Sequence, residues 1–112
     1  MVEEALASAE STGERWAISE VLRLKGELLL LQGAPGAAAA AADHFRQALD
    51  WAHRQEALSW ELRTASSLAR LWRDQHRVTE ARALLGPVYA RFTEGFATAD
   101  LREAKSLLQE LE

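Results

Sequence analysis

Residues 56–75 read EALSWELRTASSLARLWRDQ, and this stretch decides the class of fold. Its apolar side chains recur at steps of three and four residues, at Leu58, Leu62, Ala65, Leu68, Ala69 and Trp72. That spacing places them on one stripe of an α-helix, whereas a half-buried strand would need strict alternation. The stretch therefore predicts an amphipathic helix that packs against its neighbours along one side.

The composition extends this prediction to the whole chain. Alanine and leucine supply 22 and 18 of the 112 residues, whereas valine and isoleucine together supply 5. Alanine and leucine are strong helix formers, and β-branched residues favour strands. The length suits one compact domain and leaves no room for a separate catalytic domain beside it. We therefore expect a single all-α domain over residues 1–112.

Turn-forming residues divide the chain into six predicted helices. Their approximate bounds are residues 2–10, 14–32, 38–54, 56–75, 78–93 and 100–111. The dipeptide Gly86-Pro87 falls inside the fifth helix, where the proline predicts a kink or a break because it removes one backbone hydrogen bond. Asp100 and Glu103 have the spacing of a capping box at the start of the last helix. That helix is amphipathic and is predicted to cap the domain.

An internal repeat relates the second and fourth predicted helices. When Gly26 is aligned with Ala69, Gly33 falls on His76. In the helices that follow, a small, a large and a small or medium-sized residue recur at steps of four and three, namely Ala41, Phe45, Ala48 and Ala81, Leu85, Val88. A small residue in the first helix of a pair lets the second approach, and the large residue fills the groove between them. The repeat therefore predicts two closely packed helix pairs.

This pattern resembles the tetratricopeptide repeat, in which a small residue, a turn glycine and an alanine follow one another at fixed steps. Ala69, His76 and Ala81 fit these steps, although His76 stands where the family usually has glycine. In the first pair Ala41 arrives three residues late, and the period of 43 residues exceeds the usual 34. The resemblance implies antiparallel helix pairs stacked as a short, divergent α-solenoid with a C-terminal capping helix.

A second resemblance covers most of the chain. It rests on residues 24–29 (LKGELL), 92–96 (FTEGF) and 100–105 (DLREAK), and it begins at Glu14. These segments resemble the C-terminal helical region of large bacterial signalling proteins, in which a nucleotide-cyclase-like or DNA-binding domain and an ATPase domain precede the repeats. The resemblance implies that the chain is a fragment and that residues 2–10 are the trailing helix of a preceding repeat. No cyclase or ATPase residue is carried over.

Several function classes are disfavoured by charge, composition and hydropathy. The start of the chain lacks a basic, apolar export signal, and the absence of cysteine removes any need for an oxidising compartment. The longest run of large apolar residues, residues 28–31, is far shorter than the roughly 20 residues of a transmembrane helix. A net charge of −4 disfavours nucleic-acid binding through bulk charge. We expect a cytoplasmic protein that contacts neither a membrane nor nucleic acid.

Motifs for catalysis and for cofactor binding are not recognisable. His44, His53 and His76 do not have the spacing of metal ligands. The glycines of residues 33–36 lack the lysine and hydroxyl residue of a phosphate-binding loop. We therefore expect no metal, no cofactor and no enzymatic activity.

The tryptophans are candidates for either core or interface. Trp72 lies on the apolar stripe of the fourth predicted helix and is expected in the core. Trp51 and Trp60 flank the turn before that helix, where they either pack on each other or face a missing neighbour.

The polar face of the fourth predicted helix is the clearest functional signal. Arginines recur there at helical spacing, with serines between them. In the tetratricopeptide family the first helix of each pair lines a concave groove. The resemblance thus implies six partner-binding residues, Arg23 and Glu27 on the second helix and Arg63, Ser66, Arg70 and Arg73 on the fourth.

Guanidinium groups on a rigid helix suit the capture of carboxylates, so we expect a non-catalytic module that binds a partner protein or peptide. The ligand would be acidic, or would be another domain of the parent protein. Two alternatives remain. The arginines could form a solvated face that pairs with nearby glutamates, and the chain could be a homo-oligomerising spacer that forms a homodimer through its N-terminal end.

Overall fold

The computed structural model describes residues 18–93 and 98–111, and the regular structure in those ranges is helical throughout. The helices are α1 (Ile18–Gln32), α2 (Ala37–Arg54), α3 (Leu58–Asp74), α4 (Val78–Ala90) and α5 (Ala99–Glu110). The all-α prediction is confirmed. The helix predicted at residues 2–10 and the first residues of the one predicted at 14–32 lie outside the described part of the chain.

Of the predicted kink or break at Gly86-Pro87, the break is wrong, because α4 continues through Pro87 to Ala90. The proline removes the hydrogen bond that an N–H at this position would donate to the carbonyl of Ala83, but it stands in the last turn, so little helix follows it. The flanking side chains of Leu85 and Val88 are buried in the core and hold this turn in place.

The predicted capping box at the start of the last helix is also wrong. The helix begins at Ala99, and its N-cap residue Thr98 makes no side-chain capping hydrogen bond. Asp100 therefore lies inside the first turn, where its carboxylate does not occupy the N-cap position. The carboxylates of Asp100 and Glu103 instead pair with arginines on α3.

Helix α3 is the centre of the molecule, since it packs against each of the other four helices. The most extensive contacts join α1 to α2, and those between α3 and α4 follow. Short connections at residues 33–36 and 75–77 link the two helices within each pair. The fold is thus two packed helix pairs followed by α5, and both α1 and α5 lie against α3.

The crossing of α1 and α2 depends on the pairing of a glycine with a phenylalanine. Phe45 is fully buried, and a Cβ atom built on Gly26 would lie 2.6 Å from Phe45 Cε1. In the second pair Ala69, Ala81 and Leu85 are fully buried in one cluster. Both pairs therefore show the small and large residues in the arrangement that the repeat predicts.

The turns that end α1 and α3 share an uncommon backbone conformation. Gly33 has φ 64° and His76 has φ 63°, and these residues occupy equivalent positions of the repeat. Glycine adopts this left-handed region without steric cost, whereas histidine carries a Cβ that opposes it. The two turns are thus equivalent in backbone as well as in sequence position.

The apolar side of α5 completes the core between α3 and α4. Leu101, Ala104 and Leu107 are buried, and Arg102 and Lys105 on the opposite side are exposed. None of the helices in the described ranges combines the length and the apolar character that a bilayer span requires.

Candidate functional site

The predicted site residues lie on one face of the molecule, formed by α1, α3 and α5. This face contains a cavity of about 210 Å³ that is open to solvent on one side. It is lined by Arg23 of α1, by Arg63, Ser66 and Arg70 of α3, and by Asp100 and Glu103 of α5. Four of the six predicted residues therefore share a cavity, and the remaining two lining residues are carboxylates that the sequence did not assign to the site.

Arg63 joins all three helices of this face. Its Nη2 donates to Oδ2 of Asp100 at 2.8 Å, and its Nη1 donates to Oε1 of Glu20 at 3.2 Å. The hydrogen bond to Asp100 is the main reason why the pKa of Arg63 is raised. The guanidinium also stacks over the ring of Trp60, 4.9 Å from its centroid. Arg63 is thus held by carboxylates of two other helices and by the ring of Trp60.

Arg23 is bound to the same glutamate. Its Nε and Nη2 donate to the two carboxylate oxygens of Glu20 at 2.9 and 2.5 Å, which is bidentate geometry, and its Nη1 donates to Ser67 Oγ at 3.4 Å. Burial alone would raise the pKa of Glu20, but the hydrogen bonds from Arg23 and Arg63 outweigh it and lower that pKa below 4.5. Glu20 is therefore ionised and fixed.

Arg70 is the more loosely held arginine of the cavity. Its Nη1 pairs with Oε1 of Glu103, and its Nη2 lies 3.9 Å from Oε1 of Glu27 and 3.4 Å from Ser67 Oγ. The side chain of Glu103 is 55% exposed, whereas that of Glu20 is 19% exposed. Water therefore screens the ion pair of Arg70 and Glu103 more strongly than the ion pairs of Glu20, and the Arg70 pair is weaker.

Arg73 lies one turn farther along α3 and does not line the cavity. Its Nη1 donates to Oε2 of Glu110 on α5 at 2.5 Å, and its Nε donates to Oδ1 of Asp74 at 3.2 Å. The structure therefore separates Arg73 from the other predicted residues. Glu27 stands beside Arg70 at the edge of the cavity.

Ser66 has a buried hydroxyl that is not satisfied. The residue is 4% exposed, and its Oγ has no hydrogen-bond partner within the described part of the chain. A buried polar atom without a partner is costly, and the hydroxyl of Thr64, which does not line the cavity, is in the same state. Ser66 is the predicted site residue whose environment is incomplete.

Carboxylates of the same chain pair with every arginine of this face. Three ion pairs join α3 to α5, namely Arg63 with Asp100, Arg70 with Glu103 and Arg73 with Glu110. Their order is the same along both helices. The alternative in which the arginines pair with nearby acidic residues therefore describes the contacts within the chain. The residues predicted for the site do not include Glu20, Asp100, Glu103 and Glu110, although the acidic residues of the last helix recur at steps of three and seven.

The remaining candidate features of the sequence are the tryptophans and a metal site. Trp72 is partly buried and packs against both large core clusters. The guanidinium carbon of Arg54 lies 5.7 Å from the centroid of the Trp51 ring. In residues 18–93 and 98–111 no three acidic or histidine side chains come close enough to hold a metal ion.

Helix α1 presents a second surface of a different kind. Leu24, Leu28 and Leu31 are 46%, 47% and 82% exposed, and their spacing places them on one stripe of the helix. Exposed leucines in a contiguous stripe mark an interaction surface more often than isolated ones do.

Comparison with known proteins gives no match to a family model, to a curated protein or to a solved structure.

Proposed function

We propose that this chain is a non-catalytic protein-interaction module that binds a partner protein or peptide on the face formed by α1, α3 and α5. In this proposal the two helix pairs form a short tetratricopeptide-like α-solenoid, and α5 is its terminal cap. The equivalent left-handed turns at Gly33 and His76 support the repeat. The contacts of α1 and α5 with α3 support the stacking, since they bring the first helix of each pair and α5 side by side.

The cavity is the observation that carries the proposal. Each guanidinium group has five N–H donors. Arg63 donates to Glu20 and Asp100, and Arg70 donates to Glu103 and Ser67, so each arginine keeps further N–H groups for a ligand. Ser66 also lines this space, although its hydroxyl oxygen is itself buried. Donors that converge on a cavity suit a carboxylate, so the partner is an acidic segment of another protein or of another domain of a larger parent. The resemblances noted above favour a cytoplasmic signalling or regulatory protein of bacterial type.

Affinity capture with matched variants tests this proposal. The chain is immobilised as wild type, as Arg70→Gln and as Arg102→Gln, and the proteins captured by each are compared. Arg102 is exposed on the outer side of α5, so its change alters the net charge equally without touching the cavity. We expect a partner that the wild type and Arg102→Gln retain and that Arg70→Gln loses. A partner retained equally by all three would place the binding surface elsewhere.

The stripe of exposed leucines on α1 favours one second candidate, a homo-oligomerising spacer. In that case Leu24, Leu28 and Leu31 are buried against a second copy of the chain. Removing these exposed apolar side chains from water would stabilise the dimer. Light scattering would then report a dimer for the wild type and a monomer for Leu28→Glu. A wild-type monomer at millimolar concentration would refute the spacer.

A further inference from the structure

The ion pairs around the cavity differ in how firmly they are held. Glu20 is 19% exposed and is bound by two arginines, so removing it would leave buried charges unpaired. Asp100 is 33% exposed and is hydrogen-bonded to Arg63. Glu103 is 55% exposed, has Arg70 as its partner among the described residues, and can release it by rotation of its side chain. Arg70 is therefore the arginine whose partner is most easily exchanged.

Release of Glu103 does not require α5 to move. The neighbouring residues Leu101 and Ala104 are buried in the core on the opposite side of the helix. An exposed ion pair contributes little to stability because water screens it, so its loss costs little. The Glu103 carboxylate then stays near the cavity as a free negative charge.

The charges that remain fix the kind of anion that the cavity accepts. Glu27 lies 3.9 Å from Arg70, and Glu20 and Asp100 stay bound to Arg63. A single carboxylate replaces the charge that Glu103 gave to Arg70, whereas a phosphate dianion brings a second negative charge that these groups and the released Glu103 repel.

We propose that Glu103 is an internal competitor for a partner's carboxylate. The cavity takes one carboxylate onto Arg70 in exchange for Glu103, and it discriminates against dianions. The carboxylate belongs to an acidic side chain or to the C-terminus of a partner peptide. This inference rests on the proposed function and specifies its ligand and its regulation, because any change that removes Glu103 from Arg70 increases the affinity for the partner.

Titration by two-dimensional NMR of the full chain tests the exchange without a known partner. The probes are acetyl-Gly-Glu-Gly-amide, acetyl-Gly-Gln-Gly with a free C-terminus, and acetyl-Gly-phosphoserine-Gly-amide, with acetyl-Gly-Gln-Gly-amide as the uncharged control. We expect saturable shifts of the Ser66, Arg70 and Glu103 signals with one or both carboxylate peptides and none with the control. The tighter of the two carboxylate peptides identifies the source of the carboxylate. A phosphoserine peptide that binds more tightly than both would overturn the proposal.

Variants give the sharper half of the test. Glu103→Gln should tighten the carboxylate peptide about two- to fivefold, which is the range that loss of an exposed competing ion pair allows. Arg70→Gln should weaken it at least about tenfold. Glu110→Gln is the matched control, because it makes the same change on α5 next to Arg73, outside the cavity. Equal affinities of Glu103→Gln and Glu110→Gln would refute the competition.

The outcomes separate this inference from the proposed function. If no carboxylate peptide gives saturable shifts, the inference fails, even where capture of a partner still depends on Arg70. If the peptides bind and Glu103→Gln tightens them, but no partner is captured through this face, the inference stands and the proposed function fails.

Discussion

Gly26→Ala tests the crossing of α1 and α2, on which the repeat depends. The added methyl would lie 2.6 Å from Phe45 Cε1, 3.0 Å from Cδ1 and 3.1 Å from Cζ. Carbon atoms in contact prefer about 3.5–4.0 Å, so the ring must retreat by roughly 1 Å. Phe45 is fully buried, and because protein cores are close-packed, the ring can move only by displacing other core side chains.

Two opposing terms decide the magnitude. Overpacking of this kind costs about 1–3 kcal/mol, and replacing a helical glycine by alanine returns about 0.5–1 kcal/mol. The difference spans roughly 0–2.5 kcal/mol, and the 2.6 Å contact with a fully buried ring places the expected loss in free energy of unfolding in its upper part, at about 1–2 kcal/mol. Because 1 kcal/mol shifts the Tm of a domain of this size by about 4–8 °C, the loss is easily measured by urea or thermal denaturation followed by circular dichroism.

A double-mutant cycle assigns the loss to the ring. Phe45→Leu shortens the side chain and opens the space that the methyl needs, so Gly26→Ala should cost at least about 1 kcal/mol less in the Phe45→Leu background. A neutral or stabilising Gly26→Ala in the wild type would show that Phe45 does not pack on α1 in this way, and the helix-pair assignment would be wrong.

Three further predictions concern stability. Phe45→Ala should lower the free energy of unfolding by about 3–5 kcal/mol in urea denaturation, and a loss below about 1 kcal/mol would contradict its place in the core. His76→Gly should raise the Tm by removing a strained left-handed residue, whereas an unchanged or lower Tm would argue against the positive φ at this turn. The pKa of Glu20 in the folded protein lies below its ordinary value, so its ion pairs stabilise the fold above that ordinary value and lose this effect as the pH falls through the lowered pKa. Acid titration followed by circular dichroism should therefore show a smaller loss of stability on acidification in Glu20→Gln than in the wild type, and identical curves would contradict the role of Glu20.

The fold was largely predictable because its signals are local. The apolar stripe of residues 56–75 and the glycine and proline turns predict helices whose observed ends differ by only a few residues. The partnership of Gly26 and Phe45 follows from the repeat, since a small residue opposite a large one is a condition for close crossing. His76 was recognised as an exception to the glycine pattern, and its positive φ shows that the backbone keeps the conformation all the same.

The site was only partly predictable because its contacts join helices that are distant in sequence. Asp100 and Glu103 have a spacing of three, which fits a capping box and equally fits two neighbouring groups on a helix surface. Only the packing of α5 against α3 decides between the two. The same packing gives the two arginines different environments. Arg70 lines the cavity, whereas Arg73 pairs with Glu110 outside it.

Calorimetric titration of the captured partner into the wild type and into Arg70→Gln tests the central claim most directly. The proposed interaction face predicts an affinity at least about tenfold lower for Arg70→Gln, with a Tm within a few degrees of the wild type, since the pair that the change removes from the folded protein is exposed. Added salt should weaken the wild-type complex in the same direction. Equal affinities for the two proteins would contradict the claim and would transfer the binding surface to the leucine stripe of α1 or to the turn near Trp51.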